Sequence, residues 1–66
     1  MAFTETEKRI INTLYAAQRP LTTSQVSDKT NLAWITTMKY LKKLHKDRYL
    51  CAGKKSNAIC WWLKTN

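Results

Sequence analysis

The spacing of apolar residues changes once along this chain of 66 residues, from a helical period to a strand period. Up to about residue 46, apolar side chains recur every three or four positions, as on one face of a helix. Beyond that point, two short segments rich in strand-forming residues flank a polar stretch, a pattern typical of a β-hairpin. A chain of this length holds one small domain. We therefore predict a single domain over residues 1–66, mainly α with a small β-hairpin.

The first two helices are bounded by end signals in the sequence. Thr4 and Glu7 fit a capping box at the start of a helix over about residues 5–18. Pro20 ends this helix, because proline and the residue before it resist helical continuation. A second, shorter helix is predicted over about residues 24–30, since the hydroxyl residues before it suit an N-cap.

The third helix is predicted over about residues 34–46 and has one apolar and one basic face. At about 100° per residue, we expect the following residues on the inner face: Trp34, Thr37, Met38, Leu41, Leu44 and His45. The outer face is then formed by Thr36, Lys39, Tyr40, Lys43 and Lys46, with Ile35 and Lys42 between the two faces. This helical wheel predicts that Trp34 is a core residue and that His45 is a packed histidine rather than a metal ligand.

The hairpin is predicted from two strand-like segments, 49–52 and 58–63, around the polar turn 53–57. Symmetric pairing about residues 55 and 56 places Cys51 directly opposite Cys60, a separation that permits a disulfide. A reducing cytoplasm favours free thiols instead. In this register Trp61 faces inward as a core residue, and an apolar patch faces outward: Tyr49, Cys51, Cys60 and Trp62.

Positive charge is concentrated in the second half of the chain. The formal net charge is +8, and residues 34–66 hold eight Lys and Arg residues against one acidic residue. Such an uneven distribution on a small domain favours a polyanionic partner, above all nucleic acid. An anionic membrane surface is the weaker alternative, and a merely solvated basic face is the third.

The composition gives little support to catalysis, metal binding or membrane insertion. One His and four acidic residues, with no glycine-rich loop, do not form a recognisable catalytic set. One His and two Cys are fewer ligands than the four that a structural zinc needs. No apolar run approaches the ~20 residues of a membrane-spanning helix. We therefore predict a cytoplasmic protein that is not an enzyme, requires no cofactor or metal and does not bind a membrane.

From Arg19 to Leu63, the order of helix, tight turn, helix and basic hairpin resembles the winged helix-turn-helix family of DNA-binding domains. The resemblance is carried by residues 20–26, 31–32, 40–44 and 47–50. The short stand-alone fimbrial regulators of bacteria are similar in length and in their aromatic-rich last strand. The chain departs from the family pattern at Arg48, where many members have glycine before the hairpin, or wing.

The resemblance implies a small prokaryotic or viral transcriptional regulator that binds double-stranded DNA. In this family the third helix enters the major groove, and the wing contacts phosphates or an adjacent groove. The expected DNA contacts are Thr23, Ser24, Thr36, Lys39, Tyr40, Lys43, Lys54 and Lys55. The alternative function is a protein-interaction adaptor that uses the outward apolar patch, through which a homodimer or a protein partner would also form.

Overall fold

The computed structural model describes residues 3–64 as three helices and a three-stranded antiparallel sheet. The helices are α1 (Glu5–Ala17), α2 (Thr23–Thr30) and α3 (Trp34–Lys46). The strands are β1 (Leu21–Thr22), β2 (Leu50–Lys55) and β3 (Ala58–Leu63), and β3 lies between the other two. The predicted fold, three helices followed by a two-stranded wing, is confirmed. Strand β1 was not predicted, because two residues are too few to show a period.

Helices α1 and α2 both begin with a capping box. The Thr4 hydroxyl accepts the N–H of Glu7, and the Glu7 carboxylate accepts the N–H of Thr4. Thr22 and Gln25 exchange the same two hydrogen bonds at the start of α2. These bonds satisfy N–H groups that have no partner within the helix. Because Thr22 is the cap, α2 begins at Thr23, one residue earlier than predicted.

The core forms where the sheet meets the three helices. Its buried residues are Ile10, Leu14, Leu21, Val26, Leu41, Leu44, Leu50 and Trp61. Trp61 is only 3% exposed, and its indole N–H donates to the Thr23 hydroxyl at 2.9 Å. The predicted core position of Trp61 is therefore confirmed. His45 lies exposed at the edge of this core, where its ring meets Trp61 edge-on at a centroid distance of 6.0 Å.

The wing pairs two residues away from the predicted register. Cys51 lies opposite Trp62, and Cys60 lies opposite Gly53, because the strands continue to a two-residue turn that begins at Ser56. The predicted pairing of the two cysteines is wrong, and both thiols are free. A shift by an even number of residues keeps each side chain on its own face of the sheet. The shift therefore leaves Trp61 facing inward and Cys51 and Trp62 on the opposite face, as predicted.

Cys60 does not belong to the exposed outward patch that we expected. It is buried, at 8% exposure, between Thr22 of β1 on one side and Gly53 of β2 on the other. The Trp62 ring lies over Gly53, where an added Cβ would come within 3.0 Å of the indole. Strand β1, which the sequence did not reveal, thus removes Cys60 from the accessible surface.

The orientation of α3 differs by roughly 60° from the predicted wheel. The fully buried residues of this helix are Thr37, Leu41 and Leu44. Trp34, expected in the core, is 48% exposed, and His45 is exposed as well. The observed orientation turns Lys42 from the flank fully toward solvent. This orientation keeps the Lys42 ammonium in water, where it retains its hydration, and leaves part of the Trp34 ring exposed.

Helix α3 ends in a Schellman motif with an arginine in the left-handed position. Arg48 has φ 70°, and its N–H donates to the carbonyl of His45 at 3.0 Å. The N–H of Tyr49 donates to the carbonyl of Leu44 at 2.9 Å. Glycine is the favoured residue at this position because it has no Cβ. The departure from the family pattern at Arg48 therefore costs backbone strain but preserves the turn into the wing.

We predict that Arg48→Gly raises the thermal stability of the domain. Removing the Cβ from a residue at positive φ relieves about 1 kcal/mol, which corresponds to roughly 4–8 °C in a domain of this size. Arg48→Ala removes the same charge but keeps the Cβ, so it should show no such gain. Thermal melts followed by circular dichroism measure both variants, and equal melting temperatures would contradict the strain at this residue.

Candidate nucleic-acid interface

The exposed side of α3 carries a stripe of one apolar and three basic residues. This α3 stripe consists of Ile35, Lys39, Lys42 and Lys46, all of them exposed. At about 100° per residue they fall within ~60° of one another, opposite the buried face of the helix. Helix α3 contains no Asp or Glu. The lysines of the stripe therefore have no acidic neighbour on their own helix, and their positive field faces solvent.

Two further lysines lie at the tip of the wing. Lys54 and Lys55 are exposed at the end of β2, immediately before the turn. A cleft of about 310 Å³ separates this turn from the first residues of α2 and α3. The cleft is lined by Thr22, Thr23, Ser24, Trp34, Met38, Asn57, Ala58 and Ile59. The wing, the start of α2 and the start of α3 therefore border one concave surface.

The start of α2 contributes one exposed hydroxyl rather than two. Ser24 is exposed, whereas Thr23 is buried and its hydroxyl accepts the indole N–H of Trp61. The Thr23 hydroxyl is thus used inside the fold. Ser24 and the backbone N–H groups of the first turn are what this helix end presents to an anion.

Lys43 forms an ion pair with α1. Its ammonium donates to Glu7 Oε2 at 2.8 Å, and Glu7 is buried. The hydrogen bond from Lys43, together with that from the backbone N–H of Thr4, lowers the pKa of Glu7 below its ordinary value of 4.5. The same ion pair raises the pKa of Lys43. Lys43 therefore holds α3 against α1, and its charge is largely balanced there.

Thr36 and Tyr40 lie on the flank of α3 and are half-buried. The Tyr40 ring packs against the core, which reduces the surface it presents to a ligand. Among the eight predicted contact residues, five are exposed: Ser24, Lys39, Lys43, Lys54 and Lys55. Of these, Lys43 is paired with Glu7. The sequence analysis did not select Ile35 and Lys42, although both lie in the α3 stripe. Centring the wheel on the trio of Thr37, Leu41 and Leu44 would have found them.

Neither a metal centre nor a membrane span is present in the part of the chain that the structure describes. Among residues 3–64, no three His, Cys, Asp or Glu side chains come together as a possible ligand group. None of the three helices combines the length and the apolar character that a bilayer crossing requires.

The Glu7–Lys43 ion pair predicts a specific acid sensitivity. Because the pKa of Glu7 is lowered in the folded state, its ion pair stabilises the fold above about pH 4.5. That stabilisation is lost as the pH falls through the folded-state pKa. Glu7→Gln keeps an acceptor for the capping box but lacks the charge, so its stability should fall less steeply below pH 4.5.

Urea unfolding at a series of pH values measures this difference. Glu5→Gln is the matched control, since Glu5 is an exposed carboxylate in the same first turn of α1. This control should follow the parent closely. If Glu7→Gln and the parent lose stability in parallel on acidification, the ion pair does not contribute as described.

Several solved structures share this fold. A possible transcriptional regulator from Methanosarcina mazei Go1 is 16% identical, with a TM-score of 0.86 over 96% of this chain and 57% of that chain. The antimony-specific transcriptional repressor AntR is 19% identical, with a TM-score of 0.82 over 94% and 55%. Wild-type ZitR from Lactococcus lactis, in complex with DNA, is 21% identical, with a TM-score of 0.81 over 97% and 44%. At these identities the likeness shows the fold, and the chain spans about half the length of these relatives.

The sequence itself matches a protein family. No curated protein shows significant similarity to this chain. A family profile described as winged helix-turn-helix DNA-binding matches residues 3–50, from the segment before α1 to the first residue of β2. The match covers well over half of the chain and includes all three helices. This chain belongs to the winged helix-turn-helix DNA-binding family.

Proposed function

We propose that this protein binds double-stranded DNA in a sequence-specific manner and regulates transcription. The observation that carries the proposal is the α3 stripe, whose three lysines face solvent on a helix without acidic residues. An α-helix with its side chains is ~10–12 Å across, which matches the ~12 Å width of the major groove. Membership of the winged helix-turn-helix family supports the same docking geometry.

The proposed contacts divide by what each side chain can reach. Lys39 and Lys42 project from the exposed side of α3 toward base edges and phosphates. Lys54 and Lys55 at the wing tip contact phosphates, and Ser24 at the start of α2 contacts another. These phosphate contacts supply affinity and fix the register of α3 in the groove.

The other four predicted residues have supporting parts in this proposal. Thr36 and Tyr40, on the flank of α3, contact the sugar-phosphate edge of the groove. Thr23 contributes its backbone at the start of α2, since its hydroxyl is bonded to Trp61. Lys43 orients α3 through Glu7. Lys42 therefore takes the groove position that the sequence analysis assigned to Lys43.

The cellular location of this function follows from its ligand, DNA. A DNA-binding regulator of this kind works in the cytoplasm of a prokaryote, on the nucleoid or on viral DNA, and has no catalytic step. One α3 helix reads only a short site, so specificity across a genome requires a second copy or a protein partner. The closer resemblance to the fimbrial regulators stays a prediction.

We predict steep salt dependence of duplex binding, with opposite outcomes at two neighbouring lysines. If five or six cations contact phosphates, log K should fall with log salt with a slope of about −5. Lys42→Ala should weaken binding and reduce this slope by about one. Lys43→Ala should leave the slope unchanged and lower the melting temperature, because its ammonium pairs with buried Glu7. Fluorescence anisotropy over a salt series and thermal melts provide the two readouts.

The two variants remove the same charge one position apart, so each is the control for the other. Weak binding at ~50 mM salt or a flat salt dependence would contradict the DNA-binding proposal. If Lys43→Ala changed the slope and Lys42→Ala did not, DNA binding would stand but the orientation of α3 toward the groove would be wrong.

A protein-contact role is the second proposal, and exposed aromatic residues on α1 and the wing support it. Trp62 is 36% exposed and Tyr15 is 67% exposed, and both line a cleft of about 500 Å³ with Pro20. The apolar patch predicted on the outward face of the wing is smaller than expected. Cys60 is buried, Cys51 is half-buried, and the Tyr49 ring packs edge-on against Phe3 at 4.9 Å. We propose that Trp62 is the centre of any self-association or adaptor surface on this side.

This second proposal predicts that Trp62→Ala abolishes self-association and leaves duplex binding by the monomer intact. Sedimentation velocity of the parent and the variant over a concentration series measures the association. Ile35→Ala, which truncates an exposed apolar residue on α3, is the control and should associate like the parent. A parent protein that stays monomeric at every concentration would contradict a homodimer through this surface.

A further inference from the structure

Large apolar side chains are exposed at the start of α3, beside the basic surface. Ile35 is 78% exposed and Trp34 is 48% exposed, and both belong to the first turn of the helix. Trp34 also lines the cleft toward the wing together with half-buried Met38 and Ile59, which is 38% exposed. Single exposed apolar residues need no explanation, but a cluster of them marks a contact surface.

The position of Ile35 within the α3 stripe indicates what this contact is. It lies on the same side of α3 as Lys39, Lys42 and Lys46, so a helix that brings these lysines to a groove also brings Ile35 there. An aliphatic side chain neither donates nor accepts a hydrogen bond, and it gains nothing against a phosphate. The major groove displays one apolar group on its base edges, the 5-methyl group of thymine.

We propose that Ile35 recognises thymine through this methyl group and that Trp34 shields the contact on the side of the wing. The inference rests on the proposed DNA-binding function and adds the base that the first turn of α3 selects. Recognition at this position depends on apolar contact alone. Removing one methyl group from the DNA is therefore sufficient to lose it, with Watson–Crick pairing unchanged.

A protein partner for the same cluster is the less favoured occupant. Lys39 and Lys42 follow Ile35 along the same side of α3, and Lys54 and Lys55 lie at the wing tip. A partner seated here would have to combine an apolar surface with a strongly acidic border. Duplex DNA meets both conditions, because phosphates flank a groove in which thymine methyl groups are exposed.

The test uses the full chain and begins with selection of preferred duplexes from a random-sequence pool. Each thymine of the selected site is then replaced in turn by deoxyuridine, which lacks only the 5-methyl group. We expect a loss of affinity of about three- to five-fold at one or two positions, as for removal of one buried methyl-sized group. In Ile35→Ala the same replacement should leave the affinity almost unchanged. This variant should bind the thymine site as weakly as the parent binds the uracil site.

Two further variants control for indirect effects. Asn12→Ala truncates an exposed residue on α1, and this variant should keep the full loss of affinity on replacement of thymine by uracil. Ile35→Val retains a branched aliphatic group and should keep most of the loss of affinity on replacement of thymine by uracil. The melting temperature of Ile35→Ala should match that of the parent, since the side chain is largely in solvent.

The outcomes separate this inference from the function on which it rests. Thymine recognition is overturned if replacing thymine by uracil does not weaken binding, or if it weakens binding equally in Ile35→Ala. Either result leaves DNA binding in place. A selection that yields no preferred site overturns thymine recognition together with the sequence-specific part of the proposed function. If Ile35→Ala binds every duplex as the parent does, the cluster belongs to a protein partner. If the parent binds no duplex at ~50 mM salt, the proposed function fails and this inference fails with it.

Discussion

The hydrogen bond from Trp61 to Thr23 joins the wing to the helices, and the placement of the wing lysines depends on it. Trp61 lies in the central strand, between Leu21 of β1 and Ala52 of β2. A two-stranded hairpin alone is marginally stable in water, so burial of this indole is what holds the wing on the domain. A buried indole N–H without a partner would cost ~1–3 kcal/mol. The Thr23 hydroxyl therefore remains committed to the fold, even though it lies at the helix end that we propose faces a phosphate.

A second constraint is the ion pair between Glu7 and Lys43. The chain has only four acidic residues against twelve basic ones, and one of the four is buried against α3. Its carboxylate fixes which side of α3 faces α1. Because successive residues are about 100° apart, the contact of Lys43 with α1 leaves its neighbour Lys42 toward solvent. The buried carboxylate thus engages Lys43 within the fold and leaves Lys42 free for the proposed DNA contact.

The sequence predicted those features whose signals are local. The capping box at Thr4, the hydroxyl residues before α2 and the stop at Pro20 located α1 and α2 closely, because each acts within one helical turn. The wing register depended instead on the length of the turn, which has two residues where the sequence suggested five. The burial of Cys60 depended on a distant strand, since β1 pairs with β3 at Cys60, and two residues of β1 carry no pattern of their own. The orientation of α3 was missed because the wheel was centred on Trp34, the largest apolar residue. The contact that sets the orientation, Lys43 with Glu7, joins residues 36 positions apart.

In the proposed interface, the composition of the α3 stripe separates affinity from discrimination. Lysine contacts to phosphates release counterions, so their contribution to binding falls as salt increases and is the same for every sequence. An apolar contact between Ile35 and a methyl group involves no charge, and its contribution changes little over the same range of salt. Raising the salt concentration should then weaken binding to all duplexes while the ratio between a thymine site and its uracil counterpart stays constant. A first turn that is apolar, followed by a basic stripe, is therefore a physical arrangement in which selectivity persists under conditions that reduce affinity.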